Sequence, residues 1–249
     1  MGVPKKRVEP EAKGAGAQRS NITPPAEKES EVSGVKEAAA STLTPFDVFG
    51  LCIARARNLI KIHKAAHGRR AKPEKYLSDA HRASIVLAVS ALDAFIRTFV
   101  IQRVTRLLAD RDRPLPSVLS ERIQSLIKGE VLLEAARKYD LLDRVEKAFR
   151  GDFARKSFQG TRNIEDCMKL VGYDDIFHEV AVEAGLNEDT LREDLDRYTA
   201  RRHAIAHRGD YDLTKNPPDE QSVTQKDANE CIKLVEKIAE HIHRLEASQ

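Results

Sequence analysis

An all-α fold is what this sequence predicts, on three observations. Apolar residues recur at three- and four-residue spacing over long stretches, which gathers them on one helical face. No stretch shows a convincing strand alternation. The composition is 33% charged but only 5% aromatic, with no Trp, which suits helices with solvated faces better than a sandwich or barrel.

Of the 249 residues, 1–43 stand apart. They are mostly Ala, Gly, Pro, Lys, Glu and Ser with isolated apolar residues, so they cannot bury enough surface to offset the entropy of ordering them. A disordered tail is expected there, and one helical domain over 44–249.

Thr44-Pro45 reads as an N-cap followed by proline in the first turn. Phe46, Phe49, Cys52, Ile53, Ala56, Leu59, Ile60 and His63 then keep helical spacing towards Gly68. A polar break over 68–75 follows, and Ser78 is the expected cap of a second helix running towards Leu108. Its stretch 85–101 is the most apolar in the chain and predicts the central helix of the bundle. Pro114 and Pro116 lie beyond its end. Two amphipathic helices are expected over 117–128 and 130–149, then a loop over 153–160 carrying Phe153 and Phe158 as anchors. Short helices over 163–171 and 174–184, separated by Gly172, lead to a turn at 185–187. A longer helix over about 188–207 ends in a loop rich in Asp, Gly and Pro over 208–222, and Thr224 caps a final helix with a clean stripe from Cys231 to Leu245.

Net charge is +3, from 42 basic and 39 acidic residues, so only a local cluster could point to nucleic acid. Cys52, Cys167 and Cys231 are odd in number and form no CxxC, which suits small buried hydrophobes in a reducing compartment. No apolar run is expected to approach the length of a membrane span, and no signal core follows the basic N-terminus, so a cytoplasmic protein with no membrane partner is expected.

The cluster that matters is Arg201-Arg202-His203-Ala204-Ile205-Ala206-His207-Arg208-Gly209-Asp210. On a helix His203 and His207, four apart, stack on one face, and the long Arg202 side chain can swing towards them. Gly209 turns the chain away just beyond. An imidazole near neutrality can act as base or acid, and guanidinium forks match phosphate oxygens. RNA cleavage by internal transesterification needs those groups and no metal. Three other readings stay open on the residues alone. His203 and His207 have metal-ligand spacing, but lack the Glu of H-E-x-x-H and stand among arginines. A second reading has the cations simply complement a helix dipole, and a third has the basic helix end bind RNA without cutting it. Asp93, the one acid beside the apolar band, either pairs with Arg97 at i+4 or orients a catalytic group on a neighbouring helix.

Arg202 to His207 also resembles the R-φ-x-x-x-H signature of the HEPN superfamily, where φ is a polar residue. Arg82 to Val86, Ser90 to Phe95, and Ser157, Phe158, Gln159, Asn163, Ile164 and Gly172 are similar to the RiboL-PSP-HEPN branch. The likeness covers residues 77–245. The branch often has Asn where His203 stands and Glu where Asp93 stands. The resemblance implies a HEPN-type helical bundle with extra short helices in its middle, dimerising so that two motif helices face each other. It implies a metal-independent endoribonuclease of defence, toxin–antitoxin or RNA-processing systems, with no cofactor, leaving 2′,3′-cyclic phosphate and 5′-hydroxyl ends. RNA, a second copy, and an antitoxin or inhibitor protein are the expected partners. Arg202, His207, His203 and Asp93 are the expected catalytic residues, with Arg201 and Arg208 holding flanking phosphates. A non-catalytic RNA- or protein-binding HEPN module is the alternative.

Overall fold

A computed structural model describes residues 43–67 and 75–247. The expected tail, save Leu43, and the break after His67, save Lys75, lie outside them. Nine α-helices are present among the described residues: α1 (Pro45–His67), α2 (Asp79–Ala109), α3 (Ser117–Leu126), α4 (Gly129–Arg137), α5 (Leu141–Phe153), α6 (Thr161–Leu170), α7 (Ile176–Ala184), α8 (Glu188–Arg208) and α9 (Gln225–Ala247). The chain is an all-α bundle, as its periodicity predicts.

The two outer long helices start the same way. Thr44 Oγ1 accepts from the Asp47 N–H, and the Asp47 carboxylate accepts from the Thr44 N–H at 2.8 Å. Thr224 and Asp227 repeat this reciprocal cap on α9. Such a cap satisfies two donors that a helix start otherwise leaves open.

α2 is the hub, packing against α1, α9, α5, α8 and α6. Ile85, Leu92, Ile96 and Phe99 are buried along it, in one core cluster with Phe149 and Phe153 of α5 and Ile53 of α1. Each such side chain contributes about 1.5–3 kcal/mol, so Ile96→Ala alone would cost about 2–5 kcal/mol.

Four expectations need correction. The segment Tyr76–Ala109 contains an apolar window of mean hydropathy 1.9, long enough to cross a bilayer by length and composition. Much of that window, 61%, is buried among the other helices, which is what a central core helix requires. Ser78 is helical (φ −65°, ψ −20°) and closes a 3-10 turn, Lys75–Ser78, so it does not cap α2; its hydroxyl accepts instead from Arg82. The helix expected over 130–149 is two, because Tyr139 takes a left-handed conformation (φ 60°) and the Asp140 N–H closes α4 on the Ala135 carbonyl. The loop after α8 holds a two-residue antiparallel ladder, β1 (Tyr211–Asp212) against β2 (Asp219–Glu220), too short to show alternation in the sequence.

Candidate functional site

α8 carries the cluster. Asn187 caps it, its side chain accepting from the Thr190 N–H at 2.9 Å. Glu188 and Asp189 stand in the first turn and His207 and Arg208 in the last, each favoured by the helix dipole there. Gly209 (φ 60°) ends it, and Asp210 (φ 68°) continues in the left-handed region, where Asp is tolerated better than most residues. The Asp210 N–H returns to the Ala204 carbonyl at 3.1 Å.

That reversal drives the Asp210 side chain into the protein, where it is fully buried. Its Oδ2 accepts from Arg82 Nε at 2.8 Å and from Arg201 Nη2 at 2.6 Å. Arg82 also donates to Ser78, Asp79 and the Gln221 carbonyl. Arg201 donates to the Gln221 side chain and to the carbonyls of Gln221 and Ser222. The node fastens the end of α8 and the hairpin to the start of α2. Arg201 was expected to hold a flanking phosphate. Its guanidinium is instead committed to Asp210 and the hairpin, because a buried carboxylate needs charge-assisted partners. Nothing in the sequence marks this node beyond an acid just past a helix-ending glycine.

His203 and His207 do stack, with ring centroids 4.3 Å apart and planes tilted by 43°. Both are exposed, as is Arg208. Arg202 lies elsewhere on the helix. It continues the inward stripe of Leu191, Leu195 and Tyr198, is half-buried, and its Nε is shut off from solvent with no hydrogen bond among the described residues. Residues 202 and 207 are separated by about 140° around an α-helix. A cavity of about 550 Å³ runs along a further face of α8, lined by residues that include Arg197, Ala204 and Arg208, with Arg202, His203 and His207 outside it. So one chain brings the two imidazoles together but does not by itself seat them with Arg202 in a shared pocket.

Asp93 touches none of these three. Its carboxylate accepts from Arg97 at 3.0 Å, the i+4 pairing, and from the Phe158 N–H at 2.5 Å. The next residue, Gln159, offers its carbonyl to Thr199 Oγ1 at 2.8 Å. Thr161 donates from backbone and hydroxyl to Asp196, and a Cβ on Gly160 would come within 3.3 Å of that carboxylate. Asp93 therefore reaches α8 only through the 158–161 loop, which docks one turn before His203. The direct contact with a catalytic group is not made, since both carboxylate oxygens are engaged elsewhere.

Cys167 and Cys231 are buried thiols whose pKa is pushed up by burial, Cys231 to about 12, so neither is a ready nucleophile. Among the described residues no three His, Cys, Asp or Glu side chains gather to hold a metal ion.

Comparison with known proteins adds one finding. No curated protein and no solved structure gives a significant match. The family model of RiboL-PSP-HEPN, by contrast, matches residues 52–245, which takes in every helix from α2 to α8 and most of α1 and α9. Membership supports a nuclease or RNA-binding module in general terms. An all-helical bundle with paired, exposed imidazoles at the end of α8, matched over most of its length, belongs to the RiboL-PSP-HEPN family.

Proposed function

We propose that the protein is a metal-independent endoribonuclease acting as a homodimer in which two α8 C-terminal turns face one another. The observation that carries this reading is the stacked, exposed pair His203 and His207 within an arginine-rich turn of a RiboL-PSP-HEPN chain. His207 takes the 2′-hydroxyl proton as the O2′–P bond forms. A protonated imidazole returns a proton to the 5′ oxygen as the P–O5′ bond breaks. The products are a 2′,3′-cyclic phosphate and a 5′-hydroxyl. His203 assists or positions, Arg202 steadies the charge on the phosphorane, Arg208 holds a neighbouring phosphate, and Asp93 supports α8 through the 158–161 loop. A second copy supplies the wall that a lone helix face lacks, so the site is composite. The setting that fits is cytoplasmic defence or a toxin–antitoxin pair, with an inhibitor protein as the further partner.

One observation favours a second reading, a non-catalytic RNA- or protein-binding module. Arg202 is half-buried on the inward stripe, away from the histidines. Incubating purified protein with labelled RNA in EDTA separates the two readings. Cleavage that leaves cyclic phosphate ends and falls about a hundred- to ten-thousand-fold in His207→Ala is the expected result. Equal cleavage by the variant, or RNA binding with no cleavage by the parent, defeats the enzymatic reading. A purely monomeric sedimentation profile at micromolar concentration defeats the composite site.

A further inference from the structure

A cleft of about 460 Å³ lies between α3, the end of α5, the loop after it and α6, with His203 and His207 outside it. Its size falls within the range of small-molecule sites, roughly 300–1,000 Å³. Phe153, Phe158, Cys167 and Leu170 line it and are buried, so its floor is apolar. Arg122 from α3 and Lys156 from the loop add two cations to the wall. Both donate to the same atom, Asp152 Oδ2, at 2.5 and 2.8 Å, and Asp152 itself is not in the lining. A guanidinium and an ammonium thus stand side by side on one carboxylate oxygen. Neither makes another side-chain hydrogen bond among the described residues, so several N–H donors and one surplus positive charge remain at this end of the cleft. Asp166, the acid in the lining, has its side chain 66% exposed and faces Arg162 at 4.0 Å. It therefore sits at the rim, where water screens it and it opposes an anion only weakly.

Phe158 belongs both to the cleft and to the loop that docks on α8. Its ring meets Phe153 edge-on, with centroids 4.7 Å apart, and its N–H is held by Asp93. The residues after it reach α8 through Gln159 to Thr199 and Thr161 to Asp196. A molecule resting on Phe158 meets a complete wall only while that loop is docked. We propose that the cleft is an effector site for a small aromatic carboxylic acid. The ring system lies on Phe158 and Leu170, and the carboxylate takes the spare donors of Arg122 and Lys156. The acid binds the docked loop in preference to the released one, and so holds residues 158–161 against α8. Neither the binding nor the hold on α8 rests on the ribonuclease reading.

The test uses the full chain with 2-naphthoate as the probe and 2-naphthamide as its uncharged counterpart of the same shape, both followed by calorimetry. Naphthoate should bind roughly tenfold tighter than the amide, the size expected for one charge-assisted contact. Asn163→Trp fills the mouth of the cleft and leaves both cations in place, so it should weaken binding of both probes by roughly tenfold or more. Arg122→Gln leaves Lys156 to hold Asp152 and should shrink the preference for the acid. Unfolding curves matching the parent show that each variant folds; if Arg122→Gln is destabilised, the acid-over-amide difference in the parent decides the charge assignment by itself. With naphthoate at about ten times its Kd, amide exchange at Phe158 and Thr161 should slow by roughly tenfold. No binding of naphthoate at millimolar concentration overturns the site. Equal affinity for acid and amide overturns the choice of an anion, and binding untouched by Asn163→Trp overturns the location. Exchange at Phe158 that stays unchanged at saturation overturns the hold on α8.

Discussion

Arg82 Nε donates to Asp210 Oδ2 at 2.8 Å, joining two side chains that are both almost closed to solvent although 128 positions separate them. The pair sets where α8 stops and where the following hairpin lies, and hence how the His203–His207 face is presented.

Removing the carboxylate leaves two guanidiniums facing each other without their shared anion. Asp210→Ala should therefore cost about 3–5 kcal/mol, a fall in Tm on the order of 10 °C for a domain of this size. Thermal unfolding checks it. A loss below about 1 kcal/mol would mean that the node relaxes onto water and does not fix the helix end.

Arg201 and Arg202 are neighbours in sequence with opposite surroundings. Arg201 makes four hydrogen bonds to Asp210, Gln221 and Ser222, whereas Arg202 makes none among the described residues. Arg201→Gln should lower stability by about 1–3 kcal/mol and reduce cleavage only as far as the helix end is disturbed. Arg202→Gln should unfold within about 1 kcal/mol of the parent and yet lose cleavage. Denaturant titration beside a cleavage assay separates the two, and the reverse pattern would exchange their roles.

Asp93 acts on α8 through the Phe158 N–H and the Gln159 carbonyl. Asp93→Ala should release that loop, speeding amide exchange at Phe158 and Thr161 while the α8 amides stay protected, at a cost of about 1–3 kcal/mol. Asp93→Asn keeps an acceptor for Phe158 and should restore most of the protection. Exchange unchanged in Asp93→Ala would show that the loop is held by Phe158 burial alone.

The long helices were legible because their burial is one-sided: the stripes of α1, α2 and α9 name their own inward faces, and Thr44 and Thr224 announce two of the starts. The pairing of His203 with His207 was legible too, since it depends only on helical spacing. What could not be read arises from contacts distant in sequence. No local signal says that Arg201 turns to Asp210, because that requires Gly209 and Asp210 both to be left-handed and Arg82 to arrive from another helix. Arg202 reads as a surface cation by type, yet its position, four after Tyr198, places its stem on the buried stripe. Tyr139 breaks a helix without Gly or Pro, so the split between α4 and α5 left no mark. Asp93 met its i+4 partner as spacing allows, but its second partner is a backbone N–H sixty-five residues away.

His81, in the first turn of α2, is buried and stacks on His63 with ring centroids 4.0 Å apart. Burial first, and then the neighbouring His63, push its pKa down to about 4; Asp227 pulls the other way, Arg82 adds to the lowering, and the Val223 backbone opposes it weakly. Its folded-state pKa thus lies below that of the unfolded chain, about 6.5. Above that value His81 is neutral in both states and has no effect on stability through protonation. Between about 6.5 and 4 the unfolded chain takes up a proton that the folded chain refuses, so stability falls as the pH falls, and levels off below about 4. The total is about 3 kcal/mol. Urea unfolding of the parent and of His81→Phe across this window isolates the effect, since the carboxylates contribute equally to both. The parent should lose about 3 kcal/mol more than the variant on acidification; parallel curves would mean that the imidazole is protonated in the folded protein at little cost, with Asp227 as its partner.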